Sequence, residues 1–465
     1  MEDTNVHLLK QFFTKNKSRI VENFTQFLSF KTISADASTT SEFTRCTQWL
    51  KERLESLGAH VDILNHGPHP IVMGTITSEK ADAPTVLIYN HYDVQPVEPL
   101  KEWKSDPFVA TFEQNTVFAR GASDDKGQAM CALTALEALR EQALPCHVKI
   151  LLDSEEEVGS PTLSRLCEQN EPRLRADYVI VMDLGMRTAG VPAIPLGTRG
   201  IVALSLTLKG ANQDLHSGTY GGVVPNPIHA TVRLLASLHK EDGSVAVPGF
   251  YDRVHTSSLS EKLSLDLTMD EENLSRELET SLCGGERGFS PTERAWLRPT
   301  LEINGIGAGH TGEGSKTVIP KEVTAKISCR LVPDQDPMEI AEKVRDFLLS
   351  EAPQGITCSV EIHEGMGKAF RVNTQGKAVR ALEKAIEAVW TKSPEKILEG
   401  GSIPILPLLE KASGGELLAW GVGEPGDHIH APNEQFDLSR LEKGFITLVL
   451  LTHEISKGIH FPLHS

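Results

Sequence analysis

The feature that most constrains the fold of this chain is a regular alternation of apolar, strand-like runs with helical patterns. The runs TVLIYN (85–90), VKILL (148–152) and DYVIVM (177–182) are short and apolar, and helical patterns separate them. Strands that alternate with helices predict a mostly parallel α/β sheet with helices on both faces. Ligands bind such sheets beyond the carboxyl ends of the strands, so we expect the functional residues there.

The pattern changes after Asp183, which predicts a second domain. The runs IVALSLTLKG (201–210) and VTAKISCRLVP (323–333) alternate apolar and polar residues, as antiparallel strands with one open face do. We therefore expect an α/β domain of residues 1–194 and 369–465 and an inserted α+β domain of residues 195–368. The polar stretch 241–300 within the insertion shows no functional motif.

Composition excludes several classes of partner. The formal net charge of -17 disfavours nucleic acid and anionic membranes. No apolar run approaches the roughly 20 residues of a membrane span, and the amino terminus has no signal-peptide pattern. The 7 cysteines include no CxxC pair, which is typical of reduced thiols. We expect a cytoplasmic protein that binds neither nucleic acid nor membrane.

Acidic clusters follow the apolar runs. The small residues of Gly121–Gly127 place Asp124 and Asp125 side by side in a turn. Two adjacent carboxylates repel each other unless a positive group neutralises them. Lys126 is the ordinary candidate, and a carboxylate that bridges two metal ions is the alternative.

The other clusters contain the residue types of a metal hydrolase. His91 and Asp93 end a strand on the same side, so Asp93 can accept the second ring proton of a histidine ligand. The run Glu155–Glu157 is either a solvated face or a ligand beside an unligated general base.

Two further positions complete this set. Asp183 ends another strand, and the late segment 426–434 offers either His428 or His430. Such a mixed nitrogen and oxygen set suits Zn²⁺ or Mn²⁺. The HExxH and GxSxG motifs are absent from the sequence, which disfavours zincins and serine hydrolases.

Taken together, these motifs resemble the M20 family of metallopeptidases, most of all its cytosolic nonspecific dipeptidase and carnosinase branch. Nine stretches carry the resemblance, in the family's order: HYDVQP (91–96), RGASDDKG (120–127), SEEEVGS (154–160), Asp183, DLHSG (214–218), SKTVIP (315–320), SCRLVPD (328–334), GGSIP (400–404) and HAPNE (430–434).

The resemblance implies a site with two divalent ions, Zn²⁺ or Mn²⁺. His91 and Asp183 would hold one ion, and Glu157 and His430 the other. Asp124 would bridge the two ions together with a water.

It also implies the supporting roles. Glu156 would be the general base, and Asp93 would orient His91. His430 is favoured over His428, and we expect the peptide bond between Asp124 and Asp125 to be cis.

For the inserted domain, the resemblance implies a lid that also forms a homodimer. His216 would stabilise the tetrahedral oxyanion, commonly in the partner subunit. Arg330 would bind the terminal carboxylate of the substrate, with Thr317, Asn226 and Ser402 as minor contacts.

The expected function is hydrolysis of the amide bond of a dipeptide or short peptide by a metal-bridged hydroxide. One alternative is an N-acyl-amino-acid deacylase of the same family, of the acetylornithine or succinyl-diaminopimelate type. A more distant one is a non-catalytic binding protein on the same fold, which predicts the loss of a ligand or of the base. Here Glu156 and all five ligand candidates are present.

Overall fold

The structure, a computed structural model, describes residues 2–141, 143–255, 265, 267 and 271–457. The chain folds into two compact units. The first unit comprises Met1–Leu196, Val372–Ile397 and Ile405–Ser465, and the second comprises Gly197–Arg371 and Leu398–Pro404.

The helices of the described chain are α1 (Glu2–Leu28), α2 (Thr40–Ser56), α3 (Lys126–Arg140), α4 (Pro161–Glu168), α5 (Ser217–Tyr220), α6 (Pro227–Ala236), α7 (Glu271–Glu277), α8 (Pro291–Trp296), α9 (Pro337–Ser350), α10 (Lys377–Trp390), α11 (Leu406–Ser413) and α12 (Leu438–Ser456).

The strands are β1 (His60–Leu64), β2 (Ile71–Ile76), β3 (Thr85–His91), β4 (Thr111–Glu113), β5 (Thr116–Phe118), β6 (His147–Asp153), β7 (Tyr178–Met182), β8 (Ala193–Thr198), β9 (Gly200–Lys209), β10 (Leu215–His216), β11 (Thr300–Gly307), β12 (Val318–Ile319), β13 (Glu322–Leu331), β14 (Thr357–Ile362), β15 (Phe370–Arg371), β16 (Glu395–Glu399), β17 (Glu416–Trp420) and β18 (Gln435–Asp437).

A six-stranded sheet in the order β1-β2-β6-β3-β7-β17 forms the centre of the first unit. The neighbours β6, β3, β7 and β17 run parallel, whereas β1 and β2 are antiparallel strands at one edge. This arrangement confirms the prediction of a mostly parallel sheet with flanking helices. The parallel strands end together, with His91 of β3 opposite Asp153 of β6.

The apolar character of the central strands follows from burial on both faces. Residues 86–91 of β3 are all buried. The helix that follows the Asp124 turn, α3, is also surrounded by protein, since nearly all its residues are buried. It packs against α12 and β3. The turn that precedes α3 is therefore fixed between a buried strand and a buried helix.

A small antiparallel sheet in the order β18-β5-β4 was not predicted, because strands of three residues carry too little periodicity. It matters for the site because β18 pairs with β5. Just before β18, the carbonyl of Glu434 accepts the N–H of Ala119 at 3.1 Å. This pairing brings the late histidine segment to the Asp124 turn.

The second unit contains a four-stranded antiparallel sheet in the order β11-β13-β9-β14. Alternate residues of β9, from Val202 to Leu208, are buried in a core that α6 and α9 also supply. This confirms the predicted antiparallel α+β character. Strand β11 was not predicted, since its residues are mostly exposed and polar.

None of the helices in the described residues combines the length and the apolar character that crossing a membrane requires.

Candidate metal centre

Asp124 lies between two histidines from distant parts of the chain. Its Oδ1 is 3.1 Å from Nε2 of His91, and its Oδ2 is 2.9 Å from Nε2 of His430. Each histidine also faces a second carboxylate. His91 Nε2 is 3.6 Å from Asp183 Oδ1, and His430 Nε2 is 3.4 Å from Glu157 Oε2.

Two groups of three donor atoms result, each with all atoms within 4.8 Å of one another. The first, here the His91 cluster, consists of His91, Asp125 and Asp183. The second, the His430 cluster, consists of Asp124, Glu157 and His430. The structure thus brings all five sequence-predicted ligand candidates together and adds Asp125. Of the two late histidines, it is His430 that reaches Asp124.

The peptide bond between Asp124 and Asp125 is cis, as predicted. The two carboxylates have different surroundings. Asp125 Oδ2 accepts from Asn90 Nδ2 at 2.8 Å and from the backbone N–H of His91 at 3.0 Å. Its Oδ1 is buried without a hydrogen-bond partner in the described part of the chain. Asp125 therefore supports the strand end that carries His91.

Lys126 does not neutralise this aspartate pair, and that sequence-based alternative was wrong. Its side chain is fully buried, and Nζ donates to the carbonyl of Phe30 at 2.7 Å. The ammonium also lies 5.3 Å from the ring centre of Phe27. Burial lowers the pKa of Lys126 to about 8. The negative charge of the two aspartates must therefore be compensated by a cation other than Lys126.

Asp93 connects His91 to the glutamate turn. Its Oδ1 lies 3.2 Å from His91 Nδ1 and also accepts the backbone N–H of Glu156 at 3.1 Å. Its Oδ2 accepts the N–H of Glu157 at 3.0 Å. One buried carboxylate therefore fixes both the imidazole ring and the two glutamates.

The three consecutive glutamates do not form a solvated face, so that alternative was wrong. Glu155 is buried, and its Oε2 accepts the N–H of Thr162 in the first turn of α4 at 3.1 Å. Glu157 accepts from Gln95 Nε2 at 2.7 Å, while its Oε1 is buried without a partner among the described residues. Oε1 of Glu157 is therefore free to serve as a metal ligand.

Electrostatics shows an excess of negative charge at the centre. Burial, and then the charge of Asp124, raise the pKa of Glu157 to about 9. Burial, and then Asp183, raise the pKa of Glu156 well above its ordinary value. Burial disfavours the charged form of His91, but Asp183 and Asp124 outweigh it and raise the histidine's pKa. The pKa of His430 is raised as well, chiefly by its hydrogen bond to Asp124.

Divalent cations fit this donor set. The carboxylates repel one another and lose solvation, and two of them have buried oxygens without hydrogen-bond partners among the described residues. Imidazole nitrogens and carboxylate oxygens are ligands for Zn²⁺ and Mn²⁺. A bound cation would relieve the repulsion between these carboxylates.

The sequence-based interpretation assigned no role to Glu434. In the structure this residue fixes the backbone of the turn that carries Asp124. This fully buried carboxylate accepts from the backbone N–H groups of Gly121, Ser123 and Asp124 at 2.8–2.9 Å. It also accepts from Arg120 at 2.7 Å. Its sequence signal was its place at the end of HAPNE, one of the stretches that carry the family resemblance.

A second buried carboxylate holds the same late loop. Asp427 accepts from both terminal nitrogens of Arg440, at 2.6 Å and 2.5 Å. It also accepts from Ser123 Oγ at 2.6 Å. Arg440 belongs to α12, so the loop that carries His430 is anchored to both the turn and a buried helix.

The five remaining predicted residues lie in the second unit, where four of them form two pairs. His216 and Thr317 are neighbours beside the short β10–β12 ladder, with Thr317 Oγ1 3.4 Å from His216 Nε2. Arg330 donates to Ser402 Oγ at 2.8 Å. Asn226 instead caps α6, where its Oδ1 accepts the N–H of Ile228 at 2.9 Å.

A mixed imidazole and carboxylate centre at the carboxyl ends of parallel strands, buried except at His430, defines a metallohydrolase class of site. The family model described as Peptidase family M20/M25/M40 matches residues 87–454. The chain therefore belongs to this peptidase family, and the family assignment made from the motifs is confirmed.

Similar proteins cover most of the chain. The Cys-Gly metallodipeptidase dug1 of Schizosaccharomyces pombe is 29% identical over 470 residues, covering 96% of this chain and 98% of the yeast protein. The Beta-Ala-His dipeptidase of Homo sapiens is 30% identical, covering 83% of this chain and 80% of the human protein. The structure of the dipeptidase Dug1p from Saccharomyces cerevisiae superposes with a TM-score of 0.86 at 25% identity, covering 99% of this chain and 100% of that one.

Proposed function

We propose that this protein is a metal-dependent dipeptidase that hydrolyses dipeptides with a free C-terminal carboxylate. The observation that carries the proposal is the placement of Asp124, whose two oxygens face His91 and His430 separately. Relatives over nearly the full length that are named as Cys-Gly and Beta-Ala-His dipeptidases support the substrate class.

The ligands in this proposal are His91 and Asp183 for one ion and Glu157 and His430 for the other. Asp124 is shared between them. Two divalent ions, Zn²⁺ or Mn²⁺, would supply a water of lowered pKa and polarise the scissile carbonyl. Asp93 would keep His91 in the tautomer and ring orientation of a ligand, since its oxygen faces the other ring nitrogen.

Glu156 is the proposed general base. Its backbone N–H is held by Asp93, while its carboxylate has a pKa raised by burial and by Asp183. A base with a raised pKa accepts a proton from water more readily and can then deliver it to the leaving amine. The neighbouring Glu157 is the ligand, so two adjacent glutamates divide the two roles.

His216 is the proposed donor to the oxyanion. Its Nδ1 accepts the N–H of Gly218 at 3.0 Å, so the neutral ring carries its proton on Nε2. That N–H is then the group that can donate to a developing negative charge.

Arg330 is proposed to bind the terminal carboxylate, because a planar guanidinium matches a carboxylate with two parallel hydrogen bonds. Ser402 contacts the same guanidinium, and Thr317 contacts His216. Asn226 supports α6 in the described structure, and its substrate role stays a prediction. We also propose that the second unit is the lid and the homodimer interface, which light scattering would test.

The test is a substrate panel assayed with Mn²⁺ and with Zn²⁺. Free dipeptides such as Cys-Gly and β-Ala-His should be hydrolysed well, and N-acetyl-ornithine and N-succinyl-diaminopimelate poorly. The same panel with C-terminal amides should lose most of the activity. Preferential hydrolysis of the N-acyl amino acids would contradict the proposal and favour the deacylase.

A further inference from the structure

A second cluster of reactive side chains lies on the four-stranded sheet of the second unit. Strand β9 buries alternate residues, from Val202 to Leu208, in the core, so Ser205 points to the opposite face. Its neighbours across that face are Lys326 of β13 and Glu361 of β14. Both neighbours are exposed, and Ser205 itself is 8% exposed. Small molecules can therefore approach the serine from this face of the sheet.

The hydroxyl of Ser205 lies between an imidazole and an ammonium group. Its Oγ is 2.6 Å from Nε2 of His363, the residue directly after β14, and 2.6 Å from Nζ of Lys326. The backbone N–H of His363 donates to the carbonyl of Ala203 at 2.9 Å, which continues the pairing of β14 with β9. Three adjacent segments of one sheet therefore hold the three groups in place.

The chemistry of these groups determines where their protons lie. An ammonium group can only donate, so Oγ of Ser205 accepts from Lys326. The hydroxyl still has its own proton to donate, and Nε2 of His363 is the acceptor beside it. If Nε2 donated as well, the hydroxyl proton would lose that acceptor. The favoured arrangement is a chain of hydrogen bonds from Lys326 through Ser205 to His363, in which each bond strengthens the next.

This arrangement activates a serine for nucleophilic attack. A histidine that accepts the hydroxyl proton is the general base that a serine nucleophile requires, and Nε2 is the ring nitrogen that serves in Ser-His-Asp hydrolases. The ammonium group of Lys326 stabilises negative charge that develops nearby. Among the described residues Lys326 has no carboxylate within ion-pair distance, so its positive charge is directed at the serine.

Glu361 indicates which substrates suit this cluster. It stands opposite Ser205 on the side away from Lys326 and carries the opposite charge. A negative group this close disfavours phosphates and carboxylates as ligands, whereas a neutral molecule is not repelled. Neutral carboxylic esters are therefore the class that fits.

We infer that Ser205 is a nucleophile that hydrolyses small neutral esters by a mechanism that uses no metal ion. This activity goes beyond the proposed dipeptidase function, since Ser205, Lys326 and His363 belong to the second unit and the candidate metal ligands to the first. Oγ attacks the ester carbonyl while His363 takes the hydroxyl proton, and Lys326 faces the oxyanion. The bond to the alcohol oxygen breaks, and His363 returns the proton to the alcohol. Water then cleaves the acyl-serine by the same route and releases the acid.

The first test is covalent labelling of the metal-loaded protein with a fluorophosphonate. Attack by Oγ forms a phosphonyl ester and expels fluoride, and peptide mass spectrometry identifies the labelled serine. The label should be found on Ser205 and be absent from that peptide in S205A. H363N should slow labelling by at least about 100-fold, because a general base contributes 10²- to 10⁴-fold. K326M should slow it by at least about tenfold, since an exposed cation stabilises charge less than a buried donor does.

S359A is the matched control for these variants. Ser359 lies on the same face of β14 and is exposed, but its partner across the ladder is Thr207. This variant should keep the parental rate of labelling at Ser205. A hydrogen-bond network with a purely structural role predicts no label at Ser205 and a lower melting temperature in S205A. That result, or equal labelling rates in the parent protein and H363N, would overturn the inference.

The second test measures turnover of p-nitrophenyl acetate by metal-loaded E156Q, in which the proposed dipeptidase base is absent. E156Q/S205A should release p-nitrophenolate at least about tenfold more slowly than E156Q, because the nucleophile is lost. Equal rates would overturn the esterase activity whether or not the parent protein hydrolyses dipeptides. If the parent protein hydrolyses no dipeptide but Ser205 is labelled and turns over the ester, the proposed function fails and this inference stands.

Discussion

Glu156 and Glu157 are adjacent in sequence, but their carboxylates have different assignments. Both backbone N–H groups bind Asp93, so the two side chains leave the turn from a fixed base. Only Glu157 belongs to the His430 cluster. Conservative substitutions at these two positions are therefore a matched pair.

We predict that Glu156→Gln lowers kcat by at least about 100-fold, because a general base typically contributes 10²- to 10⁴-fold. The bound metal, measured by plasma mass spectrometry after dialysis, should stay at the parent level. Glu157→Gln should instead reduce the metal content, since an amide replaces a charged ligand. Near-parental turnover in Glu156→Gln would remove the base assignment, and equal metal loss in both variants would remove the division of roles.

At the scale of elements, the turn before α3 and the loop before β18 depend on each other. Glu434 gathers three backbone N–H groups of the turn, and Asp427 joins Ser123 of the turn to Arg440 of α12. Glu434 holds the backbone of Asp124 itself. Asp427 holds the late loop a few residues before His430.

We predict that Glu434→Gln lowers the metal-free protein's free energy of unfolding by about 3 kcal/mol, because it leaves buried Arg120 without its counter-charge. It should also weaken metal binding, since the amide keeps only one of the two acceptor oxygens that hold the backbone of the turn. Urea unfolding and metal titration measure the two effects separately.

Asp427→Asn is the matched control for this prediction. It should destabilise the chain through Arg440 by a comparable amount and affect metal affinity less. Equal losses of metal affinity in the two variants would show that Glu434 acts only through general stability.

The strands of the central sheet could be predicted from the sequence because strands that are buried on both faces consist of continuous apolar residues. The strands that end at His91 and before Asp183 were found for this reason, and the residues after them converge as the sheet rule predicts. The exposed strand β11 and the three-residue strands have no such signal. These strands were not predicted for that reason.

The candidate site could likewise be predicted only in part. The donor atoms could be anticipated, since their residue types are restricted by chemistry. The partners of Lys126, Glu155 and Glu434 could not, because each depends on a backbone group brought close by folding. Sequence neighbours suggested Lys126 for the aspartate pair, whereas the tertiary structure gave it the carbonyl of Phe30.

Across the whole molecule, the centre is a concentration of buried negative charge. Glu157 has an ordinary pKa of 4.5 and a folded pKa of about 9, and its side chain is 5% exposed. Between these pH values the folded metal-free protein retains a proton that the unfolded chain has released. Its stability therefore falls as pH rises, by up to about 1.4 kcal/mol per pH unit for one such group.

We predict that removing metal with a chelator lowers the melting temperature more at pH 8.5 than at pH 6.0. Bound cations keep the carboxylates ionised, so the loaded protein avoids the loss and metal binding releases protons. Scanning calorimetry of both forms at the two pH values measures the difference. Glu157→Gln should reduce its pH dependence, and a pH-independent difference in the parent protein would contradict the argument.

The anchoring of the late loop also has a consequence for biosynthesis. His430 and Glu434 follow Asp183 by more than two hundred residues, and a chain leaves the ribosome amino end first. The central strands can therefore be made while the turn at Asp124 still lacks its acceptor and its second histidine. The His430 cluster is therefore completed only in the last stage of synthesis, whereas the three residues of the His91 cluster are all present once Asp183 has been made.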